Sequence, residues 1–162
     1  MNINIKQLRD GTLSVLPFEF DLDIREIEPT VNGLVKVSGE ITNHADLLML
    51  SMSIEGERKL VCDRCAKEFS RITAVPFAAC VVDHLDNEHE EDEFIVCSGD
   101  VLDIEELATS IFILGFDSKN LCSEDCKGLC YICGANLNEQ ACNCVDKSVD
   151  PRLEILSQLL DE

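Results

Sequence analysis

Residues 121–144 read LCSEDCKGLCYICGANLNEQACNC and hold six of the chain's ten cysteines. No other stretch limits the possible folds so strongly, because the segment is short and polar and has few large apolar side chains to pack around. Disulfides, a redox centre or a metal site could each give it a structure, and the compartment helps to decide among them. The N-terminus, MNINIKQLRDGTLSVLPFEF, has no basic start, continuous apolar stretch or small-residue cleavage site of a secretory signal. No run in the chain reaches the roughly 18 apolar residues of a membrane span. A soluble, cytoplasmic protein is expected, and in a reducing cytosol dense cysteines read as metal ligands before disulfides.

Four of the six form one set: Cys130 and Cys133 in CYICG, then Cys142 and Cys144 in CNC. Tetrahedral zinc takes four thiolates at about 2.3 Å, and a CxxC turn brings two sulfurs to one ion without strain. Gly134, directly after the second cysteine, suits such a turn because glycine accepts positive φ. The eight residues between Cys133 and Cys142 close a short loop at small entropic cost. Four thiolates leave no open position for water or substrate, so the ion's role is structural. Its apparent binding energy, about 10–16 kcal/mol, is enough to order so small a segment.

Cys122 and Cys126 remain, and a second CxxC stands at Cys62 and Cys65 in LVCDRC. Together these four make a second quartet that would clip the C-terminal segment to the β-rich part. A binuclear cluster within 122–144, or free thiols at one of the pairs, are the alternatives. Cys80 and Cys97 sit singly in strand-like runs and read as buried small apolar residues. Neither CxxC opens a helix in a βαβ setting, which argues against thioredoxin-type redox chemistry.

The length, 162 residues, suits one core with an appendage. Strand signals fall at LPFEFDLDI (16–24), GLVKVSGEI (33–41), DLLMLSMSI (46–54) and RKLVC (58–62), with turns expected at Asn43–His44 and at Glu55–Gly56. FSRITAVPFAACVV (69–82) contains Pro76, which places it at a sheet edge or a bulge. The acidic run DHLDNEHEEDE (83–93) reads as a solvated loop rather than a metal site, and EFIVC (93–97) as a further strand. A helix over about 103–115 is expected, with Asp103 as N-cap, Glu106 placed as in a capping box, and Ile104, Leu107, Ala108, Ile111 and Phe112 on one face. PRLEILSQLL, with Asp150 as N-cap and Pro151 at the first helical position, predicts a last short helix. The expected class is α+β: an antiparallel β-sheet or partly closed β-barrel with one packed helix, a zinc-knuckle-like cysteine segment and a short final helix. The β-rich domain spans 1–118, and the cysteine-rich metal-binding segment with its helix spans 119–162.

Thirteen Lys and Arg against thirty-two Asp and Glu give a net charge of −19. Such a surface repels phosphate backbones, so any RNA contact must be local. Arg58, Lys59, Arg64, Lys67 and Arg71, opposed only by Asp63 and Glu68, make 58–71 net +3 and leave −22 on the rest. These five are the RNA-binding candidates, against the plainer reading of an ordinary charged hairpin. Tyr131 could stack on a base, or simply cover the metal site. Each zinc with four thiolates carries −2, so two would bring −19 to −23. With no GxxxxGK[ST], no GxGxxG after a strand, no HExxH and only three histidines, neither an enzyme nor a small-molecule substrate is expected.

LVCDRC, then LCSEDCKGLCYICGANLNEQACNC, then DPRLEIL together resemble the YceD-like family of bacterial proteins, a resemblance that spans most of the chain. It implies metal ligation by Cys62, Cys65, Cys122, Cys126, Cys130, Cys133, Cys142 and Cys144. Tyr131 departs from the proline that many relatives have there. Some members lack the C-terminal cysteines, which points to a structural role for the metal. The resemblance further implies a part in accumulation of large-subunit (23S) ribosomal RNA. Three functions are thus expected in order: a zinc-stabilised ribosome-biogenesis factor touching rRNA through 58–71, an acidic adaptor for a basic large-subunit ribosomal protein, and a thiol or zinc redox sensor.

Overall fold

A computed structural model of the chain describes residues 1–45, 47–84, 94–97 and 99–144. The acidic run beyond residue 84 and the expected final helix over 151–160 lie outside the described residues. Two compact units emerge: Met1–Leu60 with Glu68–Asn120, and Val61–Lys67 with the described part of Leu121–Glu162. The chain leaves the first unit for Val61–Lys67, returns to it for Glu68–Asn120, and leaves it again at Leu121.

The first unit is built on a five-stranded sheet of order β2-β3-β4-β5-β6, formed by β2 (Val15–Leu22), β3 (Val31–His44), β4 (Leu47–Val61), β5 (Glu68–Val82) and β6 (Phe94–Val96). Antiparallel pairing sets Val15 against Thr42 and Leu22 against Val35, then His44 against Leu47 and Val37 against Ile54. The sheet is open, with β2 and β6 as its edges, and it is mixed, because β6 joins β5 in parallel through Cys80–Phe94 and Val82–Val96. A second, two-stranded sheet pairs β1 (Asn2–Asn4) with β7 (Val101–Asp103). Helices α1 (Lys6–Arg9) and α2 (Ile104–Leu114) are the unit's helices among the described residues. The α+β reading stands, with strands longer than the sequence signals suggest.

Period-two burial fixes one face of the sheet as the core side. Val35, Val37 and Ile41 of β3 and Leu48, Leu50, Met52 and Ile54 of β4 are buried, while Ser51, Ser53 and Glu55 between them are exposed. Ile3, Ile5 and Leu8 join that core, as do Ile104, Ala108 and Phe112 of α2. Leu107 and Ile111 are half-buried at the margin of the same stripe. Asp103 caps α2, its Oδ1 accepting the amides of Glu105 at 3.1 Å and Glu106 at 3.3 Å, and Gly115 ends the helix.

One expected boundary is absent. Glu55 and Gly56 do not turn the chain, and β4 runs unbroken from Leu47 to Val61. The glycine there makes room: a Cβ at position 56 would stand 2.9 Å from Phe112 Cζ and 3.0 Å from Val35 Cγ2. Gly56 therefore leaves room for Phe112 of α2 and Val35 of β3 against the strand, a packing role that reads like a turn signal in sequence. Pro76 is tolerated for the expected reason, since β6 pairs only with Cys80, Val81 and Val82 and leaves the earlier part of β5 without a described partner strand on that side. No helix among the described residues is long and apolar enough to cross a membrane.

Candidate metal centre

Eight of the ten cysteines fall into two groups in the second unit. Residues 62–67 connect β4 to β5 through a tight knuckle: the Cys62 amide donates to the Lys67 carbonyl at 2.9 Å, and the Ala66 amide donates to the Cys62 carbonyl at 2.9 Å. The same two bonds recur around Cys130, where its amide donates to the Ala135 carbonyl at 2.8 Å and the Gly134 amide donates back to the Cys130 carbonyl at 2.8 Å. Ala66 has φ +56° and Gly134 +72°, so each knuckle closes on a left-handed residue just after its second cysteine. CDRCAK and CYICGA are thus one structure built twice, and each aims a pair of thiols the same way.

The first knuckle meets Cys122 and Cys126. The four sulfurs of Cys62, Cys65, Cys122 and Cys126 lie within 4.8 Å of one another, with Cys62–Cys126 at 3.8 Å and Cys65–Cys122 at 3.6 Å. A tetrahedron with about 2.3 Å metal–sulfur bonds has edges of about 3.8 Å, so these separations suit one central ion. They are far above the roughly 2.05 Å of a disulfide, and all ten cysteines are free. Cys62, Cys65 and Cys126 are buried and Cys122 is half-buried. Arg64 ties the two chain segments together, its Nη1 donating to the carbonyls of Cys126 at 2.9 Å and Glu124 at 3.2 Å.

The second knuckle meets the CNC pair. The sulfurs of Cys130, Cys133, Cys142 and Cys144 also lie within 4.8 Å of one another. This group is more open: Cys130 is buried, Cys142 half-buried, and Cys133 and Cys144 exposed. The binuclear alternative within 122–144 is not the arrangement found, because Cys122 and Cys126 gather with Cys62 and Cys65.

Thiol acidities show the strain of packing four such groups together. The Cys122 amide, helped by those of Cys65 and Arg64, brings Cys62 down to about 6. Amides of Cys133 and Ile132 do the same for Cys130, also to about 6. Burial, then the neighbouring thiols of Cys65, Cys62 and Cys126, push Cys122 up to about 12, and the Cys133 thiol with burial pushes Cys144 up to about 12. One thiolate in each group raises the cost of the next, and a bound cation removes that conflict. The all-sulfur donor sets, the spacing and the preformed knuckles therefore fit a tetrahedral thiophilic ion such as zinc.

An outer hydrogen bond supports the first group. Asn138 Nδ2 donates to Cys126 Sγ at 3.4 Å, and Asn138 Oδ1 accepts the Lys127 amide at 2.8 Å. Ligand spacing passes over this residue, since it follows no metal-ligand pattern; the Asn-Leu-Asn run after Cys133–Gly134 is the signal that marks it. Asn136 Oδ1 in turn accepts both the Asn138 amide at 3.1 Å and Nδ2 at 2.8 Å.

The five basic candidates are placed less uniformly. Arg58, at 6% exposure, is buried with its guanidinium 3.4 Å from the centroid of the Phe116 ring and Nε on the Thr30 hydroxyl. Burial lowers its pKa, against the opposing pull of Glu28 and Asp117. Arg71 pairs with Asp117 at 3.1 Å, and Arg64 is engaged as described. Lys59 and Lys67 are exposed. Arg58, Lys59 and Arg71 belong to the first unit, Arg64 and Lys67 to the second. Tyr131 and Ile132, the middle residues of the second knuckle, are also exposed, in line with a tip rather than a core position. Cys97 is buried with its thiol on the Gly99 and Val101 carbonyls, whereas Cys80 is only half-buried.

Comparison with curated proteins found no match, and neither did comparison with solved structures. A protein-family model described as "Large ribosomal RNA subunit accumulation protein YceD" matches residues 50–160. That span is well over half of the chain and takes in both knuckles and all eight gathered cysteines. The chain belongs to the YceD family.

Proposed function

We propose that this chain is a non-enzymatic, zinc-binding ribosome-biogenesis factor that acts in the cytoplasm and supports accumulation of large-subunit (23S) ribosomal RNA. The observation that carries the reading is the pair of complete cysteine quartets within a chain of this family. Cys62, Cys65, Cys122 and Cys126 hold one zinc, and Cys130, Cys133, Cys142 and Cys144 the other. Zinc has no redox chemistry and accepts a closed set of four thiolates, so both ions shape the chain rather than react. RNA is met through the exposed Lys59 and Lys67, with Arg64 and Arg71 beside them in sequence. Arg58 drops out of that surface because it is buried.

A second reading follows from the engaged arginines. With Arg58 on Phe116, Arg64 on backbone carbonyls and Arg71 on Asp117, much of the positive charge is used within the chain. Net charge is −19, and a surface so acidic suits a basic ribosomal protein better than a phosphate backbone. Under this reading the chain is an adaptor that does not touch RNA directly.

Two measurements decide. Elemental analysis of natively purified protein should find two zinc ions per chain and eight thiols protected from alkylation; protein without metal defeats the zinc reading. Binding to 23S rRNA fragments as a function of salt separates the rest. Changing Lys59 and Lys67 together to Glu should flatten the log–log salt slope by about 1 for each phosphate that is no longer neutralised. If the unaltered protein has no RNA affinity at low salt, the adaptor reading replaces the RNA-binding one.

A further inference from the structure

The loop between the two halves of the second quartet reaches into the first. Residues 134–141 run from Cys133 to Cys142, so a metal on the second quartet would cross-link their ends. In the middle of that loop Asn138 reaches the first quartet's segment with both ends of its amide: Nδ2 donates to Cys126 Sγ as well as to Asn136 Oδ1 of its own loop, and Oδ1 accepts the Lys127 amide. The backbone adds a second tie, the Leu137 amide donating to the Gly128 carbonyl at 2.9 Å. A third runs from the Leu129 amide to the Arg64 carbonyl at 3.1 Å, inside the first knuckle. Leu129 and Asn136 then pair as an antiparallel bridge at the base of the second knuckle.

We propose that Asn138 is a positioning residue that couples the two quartets, so that metal held at either one strengthens the hold of the other. This rests on the reading of both quartets as zinc sites. An N–H donated to a ligating sulfur withdraws charge from the thiolate and fixes its direction, and loss of such outer partners typically weakens metal binding 10- to 100-fold. The donor here sits on a loop whose two ends the second quartet would join, so closing that loop adds to the bonds from Lys127, Asn136 and Gly128 that already hold it. Emptying the second quartet frees the ends of 134–141, restores their conformational entropy and weakens the hold of Asn138 on Cys126. Linkage makes the effect reciprocal: whatever the second ion adds to the first site's affinity, the first adds to the second's.

The test uses the zinc-loaded full chain, stripped with graded chelator, alkylated at each step, and mapped by mass spectrometry so that each quartet reports separately. In Asn138→Ala, Cys62, Cys65, Cys122 and Cys126 should become reactive at about 10- to 100-fold lower chelator. Asn138→Asp keeps an acceptor for the Lys127 amide but faces Cys126 with a carboxylate, and should weaken the first quartet at least as much. Cys142→Ser with Cys144→Ser disables the second quartet without touching Asn138, and should also make the first easier to strip. If all three variants leave stripping of the first quartet unchanged while the parent carries two zinc ions, the coupling is wrong and the metal sites stand. A parent that carries one zinc overturns the coupling and the two-site reading together, and one without metal defeats the zinc reading itself.

Discussion

Ala66 and Gly134 occupy the same place in two copies of one turn, at φ +56° and +72°. The left-handed region costs an L-residue with a Cβ about 1–2 kcal/mol, whereas glycine enters it freely at an entropic cost nearer 0.5–1 kcal/mol. Ala66→Gly should therefore stabilise the loaded protein by about 0.5–1 kcal/mol. Gly134→Ala should cost about 1 kcal/mol, since nothing lies within 4 Å of the added Cβ and only backbone strain counts. Denaturant unfolding of the zinc-loaded variants checks the opposed signs; two changes of the same sign would break the equivalence of the knuckles. The asymmetry also shows why one turn is easier to read than the other. Cys-Gly advertises positive φ in sequence, whereas Cys-Ala does not, although the four hydrogen bonds that define the two knuckles match in pairs. Asn138 is harder still, because its value lies in a sulfur twelve residues back.

At the scale of elements, α2 is the best-announced piece: its N-cap, its stripe and its terminal Gly115 all stand where residue spacing puts them. The hairpin strands follow from alternation, which survives folding because one face of the sheet stays exposed. What spacing cannot convey is close approach. Gly56 looks like punctuation, yet β4 passes straight through it so that Phe112 can reach the strand. Gly56→Ala should destabilise the protein by about 1–3 kcal/mol through overpacking against Phe112 and Val35. Combining it with Phe112→Leu should recover part of that loss, a non-additive coupling of about 0.5–3 kcal/mol in a urea double-mutant cycle. Simple additivity would show that the cost arises somewhere other than this close approach. The three-residue β1 and β7 and the four-residue α1 carry too few residues for any period to register, and their places are set by tertiary pairing such as Asn2 with Asp103, whereas β6 falls within the EFIVC strand signal.

For the whole molecule, the composition of the core is informative. The buried cluster from Ile3 to Phe112 draws on the first unit alone and includes none of the eight gathered cysteines. Chelation should therefore expose all eight thiols while leaving the far-ultraviolet β signal and the main urea transition of the sheet in place; collapse of that transition would tie the sheet's stability to metal. Acid should act in the same direction as chelator, since protons compete for ligating thiolates and metal is retained less well as pH falls. Grouping eight thiols as two quartets was readable from counting and spacing. The partnership of Cys62 and Cys65 with Cys122 and Cys126 was one of three readings that counting left open, and geometry chooses it, because separations of 57 and 64 residues leave no local pattern.

Those separations carry a consequence for how the chain is made. Cys62 and Cys65 leave the ribosome as an open pair with two of four ligands, and the sulfurs that complete their set follow 57 and 64 residues later. At typical synthesis rates that interval is about 3–13 s, time in which the early sheet strands can already pair. The first quartet can close only after Cys126 has been made, so a chain cut short before that point keeps a half-filled pair of thiols on display. A metal bound at this quartet would thus mark a chain made past Cys126, by which it differs chemically from one cut shorter.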